Sequence, residues 1–469
     1  MHRRLLILAV GIGVFLGGCS LAPTYRQPRA PIPEKWPRGE AYTDVQTLSD
    51  IPAARDLKWE NFFRDKKLKA VIEMALTNNR DLRLAALNVE RARALYGIQR
   101  AELLPALNAA GVYGKERRSA DLISPGDPRT VEQYSVDLGV AEWEIDFFGR
   151  LRSLKDQALE EYMATEQARR SARILLIAEV SRAYLALAAD RENLKLARFT
   201  LETQLASYDL IEKSCRIGMA TEIDLRRAQT QVEAARRDVP RNMQLAAQDR
   251  NALDLLAGVP VPEDLVPADL SSVSPPGEIS PGLSSEVLLN RPDIVAAEHR
   301  LKGANAFIGA ARAAFFPRIS LTASAGTASD ELSGLFTGGS DTWSFAPQIV
   351  MPIFDARTWA ALRAGKADQK IILNRYEKAV QTAFREVSDA LAVQGTIDDQ
   401  VSAQQSLVDA AAETYRLSTK RYEIGIDNYL SVLDAHRALY QQRQVLISLR
   451  LARLADRVTL YSVLGGGGA

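Results

Sequence analysis

The sequence predicts a mainly α-helical chain carrying a small share of membrane-type β-structure, and three observations lead there. The chain is written twice; each copy holds helical stretches far longer than a compact domain needs; and each copy contains two short runs of period-two alternation. Composition narrows the class further. Lys+Arg 59 against Asp+Glu 58 leaves a net charge of +1, without the basic excess that nucleic-acid binding requires, so no nucleic-acid partner is expected. With 3 His and 2 Cys, a zinc cluster or disulfide framework has almost nothing to be built from. No glycine-rich phosphate loop or Ser/His/Asp constellation is present, so neither a metal site nor an enzyme is expected.

In chain order, residues 1–18 read as a bacterial export signal: Arg3 and Arg4, an apolar run from Leu5 to Leu16, then Gly17 and Gly18. A bilayer-spanning helix needs about 20 apolar residues, so this run is short for a permanent anchor. Leu16-Gly17-Gly18-Cys19 resembles the lipobox of bacterial lipoproteins, which implies that the Cys19 thiol is acylated and becomes the first residue. Ser20 resembles the outer-membrane sorting preference. Cys215 is then left as the lone free thiol of an oxidising compartment, with no role that the sequence assigns.

Residues 19–65 form a lipid-anchored linker, and the first repeat runs over 66–256. An equatorial linker, 257–283, leads to the second repeat, 284–464, and a Gly-rich tail, 465–469. Asp81 matches Asp293, Arg100 matches Arg312 and Pro105 matches Pro317 at an offset of 212. Arg150 matches Arg357, Ile217-Gly218 matches Ile424-Gly425, and Ala228 matches Ala435 at an offset of 207. The first copy predicts a helix over 66–104, strands near 106–117 and 131–146, a long helix over 151–213, a turn at Ile217-Gly218, and a returning helix to 256. The second predicts 284–316, strands 318–329 and 342–354, a long helix 358–423, a turn at Ile424-Gly425, and a return over 429–463. At 1.5 Å per residue the second long helix extends roughly 100 Å, and its mixed three-and-four apolar spacing is that of an antiparallel coiled coil.

The strand Arg318–Ala325 alternates apolar with small polar residues, as does Val136–Val140. That period suits a soluble sheet or a lipid-facing wall; Trp143 and Trp343 suit interfacial girdles. Four strands cannot close a barrel, and open edges in lipid leave backbone groups unpaired. Copies of the chain must supply the rest: two give eight strands and three give twelve, and the larger number leaves a useful lumen.

The lipobox with Cys19-Ser20-Leu21-Ala22-Pro23-Thr24-Tyr25, the Leu289–Ile294 segment, Phe148-Gly149-Arg150 with Phe354-Asp355-Ala356-Arg357, and the doubled hairpins together resemble the TolC-like outer-membrane factors. The likeness is to their lipoprotein branch, the NodT and OprM type. It implies a homotrimer whose duplicated long coiled-coil hairpins form an α-barrel, with four strands per protomer contributing to a 12-stranded outer-membrane β-barrel. It further implies an exit duct of a tripartite efflux or secretion system, in contact with outer-membrane lipid and docked to a periplasmic adaptor and an inner-membrane transporter. Its location would be the bacterial outer membrane, lipid-anchored and reaching into the periplasm, with no cofactor beyond the lipid on Cys19. A periplasmic coiled-coil lipoprotein without a channel, and the outer-membrane part of type I protein secretion, remain the alternatives. Cargo is not legible.

The tips Arg216-Ile217-Gly218 and Ile424-Gly425 lie farthest from the strands, and the resemblance makes them the adaptor contacts. Glycine there suits either a docking reversal or plain helix termination. Beyond the second tip, Asp427, Ser431, Asp434, Ala438 and Gln441 form one polar stripe, while Leu430, Leu433 and Tyr440 occupy another face. The family's gates place a tyrosine before the tip glycine and aspartates on the returning helix, which Tyr422 and Asp434 match; the arginine expected at Asp427 and the aspartate expected at Ser431 are absent. Arg227 is the counterpart of Asp434, and the two either latch neighbouring hairpins or stand as independent surface charges. The expected gate is therefore Tyr422, Asp427, Asp434 and Arg227.

Overall fold

The computed structural model describes residues 20–42, 57–282 and 284–466. Cys19 and the export signal lie outside the described residues. From Leu57 on, the chain runs α1 (Trp59–Phe62), α2 (Lys66–Asn78), α3 (Arg80–Ala101), β1 (Leu107–Arg117), β2 (Thr130–Glu144), α4 (Arg150–Arg216) and α5 (Glu222–Ala257). It continues through short 3-10 turns to α6 (Pro292–Ala313), β3 (Arg318–Ser329), β4 (Asp341–Val350), α7 (Ala356–Gln394), α8 (Ile397–Glu423) and α9 (Tyr429–Val463). Among the described residues no helix is long and apolar enough to cross a membrane, and no cluster of three or more His, Cys, Asp or Glu is placed to hold a metal.

Three helices drawn as continuous from the pattern are interrupted. Asn79 adopts an extended backbone between α2 and α3; its Oδ1 accepts from Leu82 N at 2.9 Å and its Nδ2 donates to the Leu256 carbonyl at 2.9 Å. An asparagine that caps the next helix serves better there than mid-helix. At the equivalent place in the second repeat, Pro292 holds Arg291 extended, so a 3-10 turn precedes α6. The third break separates α7 from α8 at Gly395-Thr396, where Thr396 Oγ1 donates to the Ala392 carbonyl at 3.0 Å.

Among the described residues, one compact unit comprises 20–29, 88–166 and 296–376. It holds an antiparallel sheet in the order β1-β2-β3-β4, so β1 and β4 are the free edges. β1 and β4 are exposed along their whole length. Between β2 and β3 the backbones approach closely: a Cβ on Gly326 would lie 2.1 Å from the Val136 carbonyl oxygen, and one on Gly139 2.5 Å from that of Ala323. Trp343 is exposed, whereas Trp143 is half-buried with its indole N–H donating to the Leu103 carbonyl at 3.4 Å. Below the sheet, Arg150 grips Glu144 through two hydrogen bonds of 2.8 and 2.7 Å, while its counterpart Arg357 turns to Asp355.

The second unit comprises the described residues 30–42, 57–87, 167–282, 284–295 and 377–466. Its core gathers Phe62, stacked on Tyr461 at 4.2 Å, with Leu68, Val71, Ile72 and Val458. Asp65 ties linker to repeat, accepting from Leu68 N at 2.9 Å and from Ser274 N at 3.1 Å. On α9, Asp456 is buried, and burial pushes its carboxyl up to about 7 against the opposing pull of Arg457. Its repeat counterpart Asp249 is pushed up to about 6 by burial and by Asp190.

Candidate functional site

Both tips are built by a left-handed glycine. Gly218 has φ +77° and Gly425 φ +76°, and a Cβ at either would meet nothing within 4 Å. The glycines therefore answer a backbone requirement of helix termination, not a lack of space. Gly425 N donates to the Tyr422 carbonyl at 3.0 Å and Ile426 N to the Arg421 carbonyl at 2.9 Å; Gly218 N and Met219 N repeat the arrangement on Cys215 and Ser214. A capping box of Thr221 and Asp224 starts α5, and Asn428 caps α9 by accepting from Ser431 N at 3.3 Å. Ile217, Met219, Ile424 and Ile426 are exposed around these turns, leaving an apolar rim on each tip. Arg216 turns back along its helix to Glu212 at 3.1 Å.

Asp427 faces the turn. Arg421 holds it through Nε at 2.5 Å and Nη2 at 3.2 Å, bracing the end of α8 against the entry to α9. That guanidinium draws the Asp427 carboxyl below the usual aspartate range. Asp434 is exposed and paired with Arg437 at 2.9 Å, while Arg227 lies 4.0 Å from Asp224. Within one chain, then, Asp434 and Arg227 each have their own partner.

Tyr422 packs instead of standing free. Its ring lies 5.3 Å from Tyr429 and joins a cluster of Ile211, Ala228, Val432 and Leu433. Burial, then Asp224, raises its hydroxyl above the ordinary tyrosine range. The exposed residues of the stripe are Ser431, Asp434, Ala438 and Gln441, in keeping with the spacing, and Leu433 packs as its face requires. Leu430 is exposed, and Tyr429 and Val432 do the packing expected of it.

Pattern reasoning missed one contact deeper in the hairpins. His436 Nδ1 lies 2.8 Å from Gln204 Nε2 and its ring meets Tyr415 edge-on at 5.0 Å, so burial, then Arg443, lowers its basicity. The positions fall 232 residues apart, and no local period connects them.

A family model described as outer membrane efflux protein matches residues 71–259 and 283–466. Over 469 residues the chain is 48% identical to the probable efflux pump outer membrane protein TtgC of Pseudomonas putida, covering 100% of this chain and 96% of that one. Outer membrane protein OprJ of Pseudomonas aeruginosa is 42% identical, with 98% and 95% covered. Among solved structures, the open-state MtrE outer membrane channel of Neisseria gonorrhoeae superposes with a TM-score of 0.85 at 38% identity, covering 96% of this chain and 98% of that one. A membrane protein from Pseudomonas aeruginosa gives 0.88 at 42% identity, covering 95% and 100%.

Proposed function

The chain belongs to the outer membrane efflux protein family and is the outer-membrane channel of a tripartite efflux pump, and from that premise we propose that three copies close the channel around a gate at the helical tips. The observation that carries the reading is the sheet: four strands in sequential order, with β1 and β4 as unpaired edges. Edges in a bilayer cost several kcal/mol for each unsatisfied backbone group, a penalty removed when β4 of one copy pairs with β1 of the next. Three copies then make a twelve-stranded wall wide enough for a water-filled lumen.

In this reading residues 19–65 hold the chain to the membrane through lipid on Cys19, and the repeats 66–256 and 284–464 each give one strand pair and one long hairpin. The linker 257–283 lies between them. At the narrow end, threefold symmetry turns Asp434 into a ring of three carboxylates, with Asp427 near the turn and Tyr422 packed behind. Like charges in a narrow pore attract cations and repel anions. A chain-to-chain contact of Arg227 with Asp434 would have to displace Arg437 and Asp224, which sets the closed state in competition with pairs already made within each chain. The rims at Arg216, Ile217, Gly218, Ile424 and Gly425 present apolar surface to a periplasmic adaptor, which links the duct to an inner-membrane transporter.

Purified protein in planar bilayers tests this. Stepwise conductance from a detergent-resistant trimer is expected. A monodisperse monomer that keeps its full strand content in mild detergent overturns it.

A further inference from the structure

The two repeats differ in how the cleft between their first helix and their long helix is filled. In the second repeat, residues of the N-terminal segment lie over it. Tyr25 Oη donates to Glu298 at 3.2 Å and Gln27 Nε2 reaches the same carboxylate at 3.5 Å. Farther along, Trp36 stacks on Phe384 at 5.6 Å. The matching cleft of the first repeat, between α3 and α4, is an open cavity of about 900 Å³.

Its chemistry is inverted as well. At the repeat offsets Glu298 becomes Ala86, Tyr376 becomes Arg169, Glu377 becomes Arg170, Val380 becomes Arg173 and Val295 becomes Arg83. Arg83, Arg169, Arg170 and Arg173 all line the cavity and all are exposed. None of them has a carboxylate partner among the described residues. The carboxylate one turn before Arg170, Glu166, is occupied by the Tyr162 hydroxyl at 2.7 Å. Arg169 and Arg173 stand four residues apart on one helix and Arg170 and Arg173 three apart, spacings at which like charges repel. In a chain whose net charge is +1, four convergent guanidinium groups are a local concentration of charge. Between them the cavity wall carries an apolar patch of Leu76, Leu82, Ala86 and Ile174 beside the polar Thr77 and Asn79.

We propose that this cleft binds an anionic amphiphile, a small molecule that joins an apolar body to a head with at least two acidic oxygens, as in an alkyl phosphate. The guanidinium forks take the oxygens in paired hydrogen bonds, and the leucine and isoleucine side chains cover the apolar body. Neither half of the chemistry suffices alone: a bare phosphate leaves the apolar wall wet, and a neutral alkyl chain leaves the arginines repelling one another. The site is separate from the channel reading, because the experiment measures binding and not conductance.

The test is calorimetric titration of the assembled protein in phosphatidylcholine nanodiscs with octyl phosphate, inorganic phosphate and octanol. Saturable binding of octyl phosphate at one site per chain is expected, weakening with salt and falling about tenfold or more in the Arg169→Gln/Arg173→Gln double variant, as loss of charged hydrogen bonds requires. Inorganic phosphate and octanol should each bind about tenfold more weakly than octyl phosphate. A parallel set of nanodiscs containing phosphatidic acid separates the sources: if the head group of a bilayer lipid is the occupant, octyl phosphate binding is already blocked there, and the free amphiphile is overturned. Both substituted arginines are exposed, so the variant should keep its melting temperature and assembly. Equal binding by wild type and variant, or octanol binding as tightly as octyl phosphate, overturns the proposal. Resistance of all four arginines to phenylglyoxal in the free assembled protein also overturns it, since another part of the protein would then cover the cleft.

Discussion

Replacing Asp456 by asparagine should stabilise the protein at neutral and alkaline pH and leave it nearly unchanged in acid. Asp456 sits on α9 with 9% of its surface exposed, and burial raises its carboxyl from an ordinary 3.8 to about 7. Arg182, Arg291, Asp293, Glu386 and Asp389 line the same cavity, and Arg457 is its neighbour in sequence. Arg291 is engaged by Asp293 and Glu386 at 2.8 and 3.1 Å, so that charge is largely answered before it reaches Asp456. Because the folded value lies above the unfolded one, the folded chain holds a proton that the unfolded chain has released. Stability from this group is thus fully present below about pH 4 and is lost progressively as pH rises to about 7. Between pH 5 and pH 8 the loss amounts to about 2 to 3 kcal/mol. Asparagine keeps the shape of the protonated acid and removes the titration. Thermal melts of wild type and Asp456→Asn followed by helical circular dichroism from pH 5 to pH 8 should diverge by about 3 °C at the alkaline end, given the unfolding entropy of a chain this long. The difference between the two proteins isolates this group, since every other ionisable group is common to both. Parallel curves across the whole range would falsify the account and mean that Asp456 is hydrated in the folded state.

Gly326→Val should abolish assembly of the β-wall, since its Cβ would meet the Val136 carbonyl oxygen at 2.1 Å; unheated gel electrophoresis of outer membranes should lose the oligomer band, and a wild-type band refutes the close approach of β2 and β3. Gly425→Ala, with open space around its Cβ and φ +76°, should cost about 1 to 2 kcal/mol of backbone strain and leave assembly intact; loss of the oligomer would mean that something packs on the glycine. Asp434→Ala should lower the cation selectivity of single channels in planar bilayers, and unchanged reversal potentials in a salt gradient return the polar stripe to ordinary wetted surface. Cys19→Ser should prevent incorporation of radiolabelled palmitate while some oligomer still forms, and a wild-type protein that never takes up the label removes the lipid anchor from the scheme.

Much of the architecture was legible because it is written in local periods. The offsets of 212 and 207 located both hairpins, and the tip glycines at 218 and 425 mark where α4 and α8 end. The strands predicted at 318–329 and near 106–117 appear as β3 and β1. The helix breaks escaped the pattern for an equally local reason: apolar spacing continues through Asn79 and Thr396, while the side-chain bonds to Leu82 and Ala392 that interrupt the backbone leave no periodic trace. At the tips, the stripe with Asp434 came from spacing alone, but the brace of Arg421 on Asp427 and the packing of Tyr422 on Tyr429 did not.

The sequence by itself determined the helix-strand order and the reversal points, because each is set by residues within a few positions of one another, and the duplication, because the same local patterns recur at offsets of 212 and 207. Only the tertiary structure decided which charges have partners and which are buried. Asp456 and Asp434 are both aspartates on α9, yet one is enclosed with its carboxyl pushed up to about 7 and the other stands exposed beside Arg437. Arg83 and Arg173 look in sequence like ordinary helix-surface cations; their convergence on one open cleft depends on how α3 lies along α4. Desolvation and Coulomb energy depend on distance through space, and neighbours brought together across 90 or 232 residues leave no mark in a local pattern.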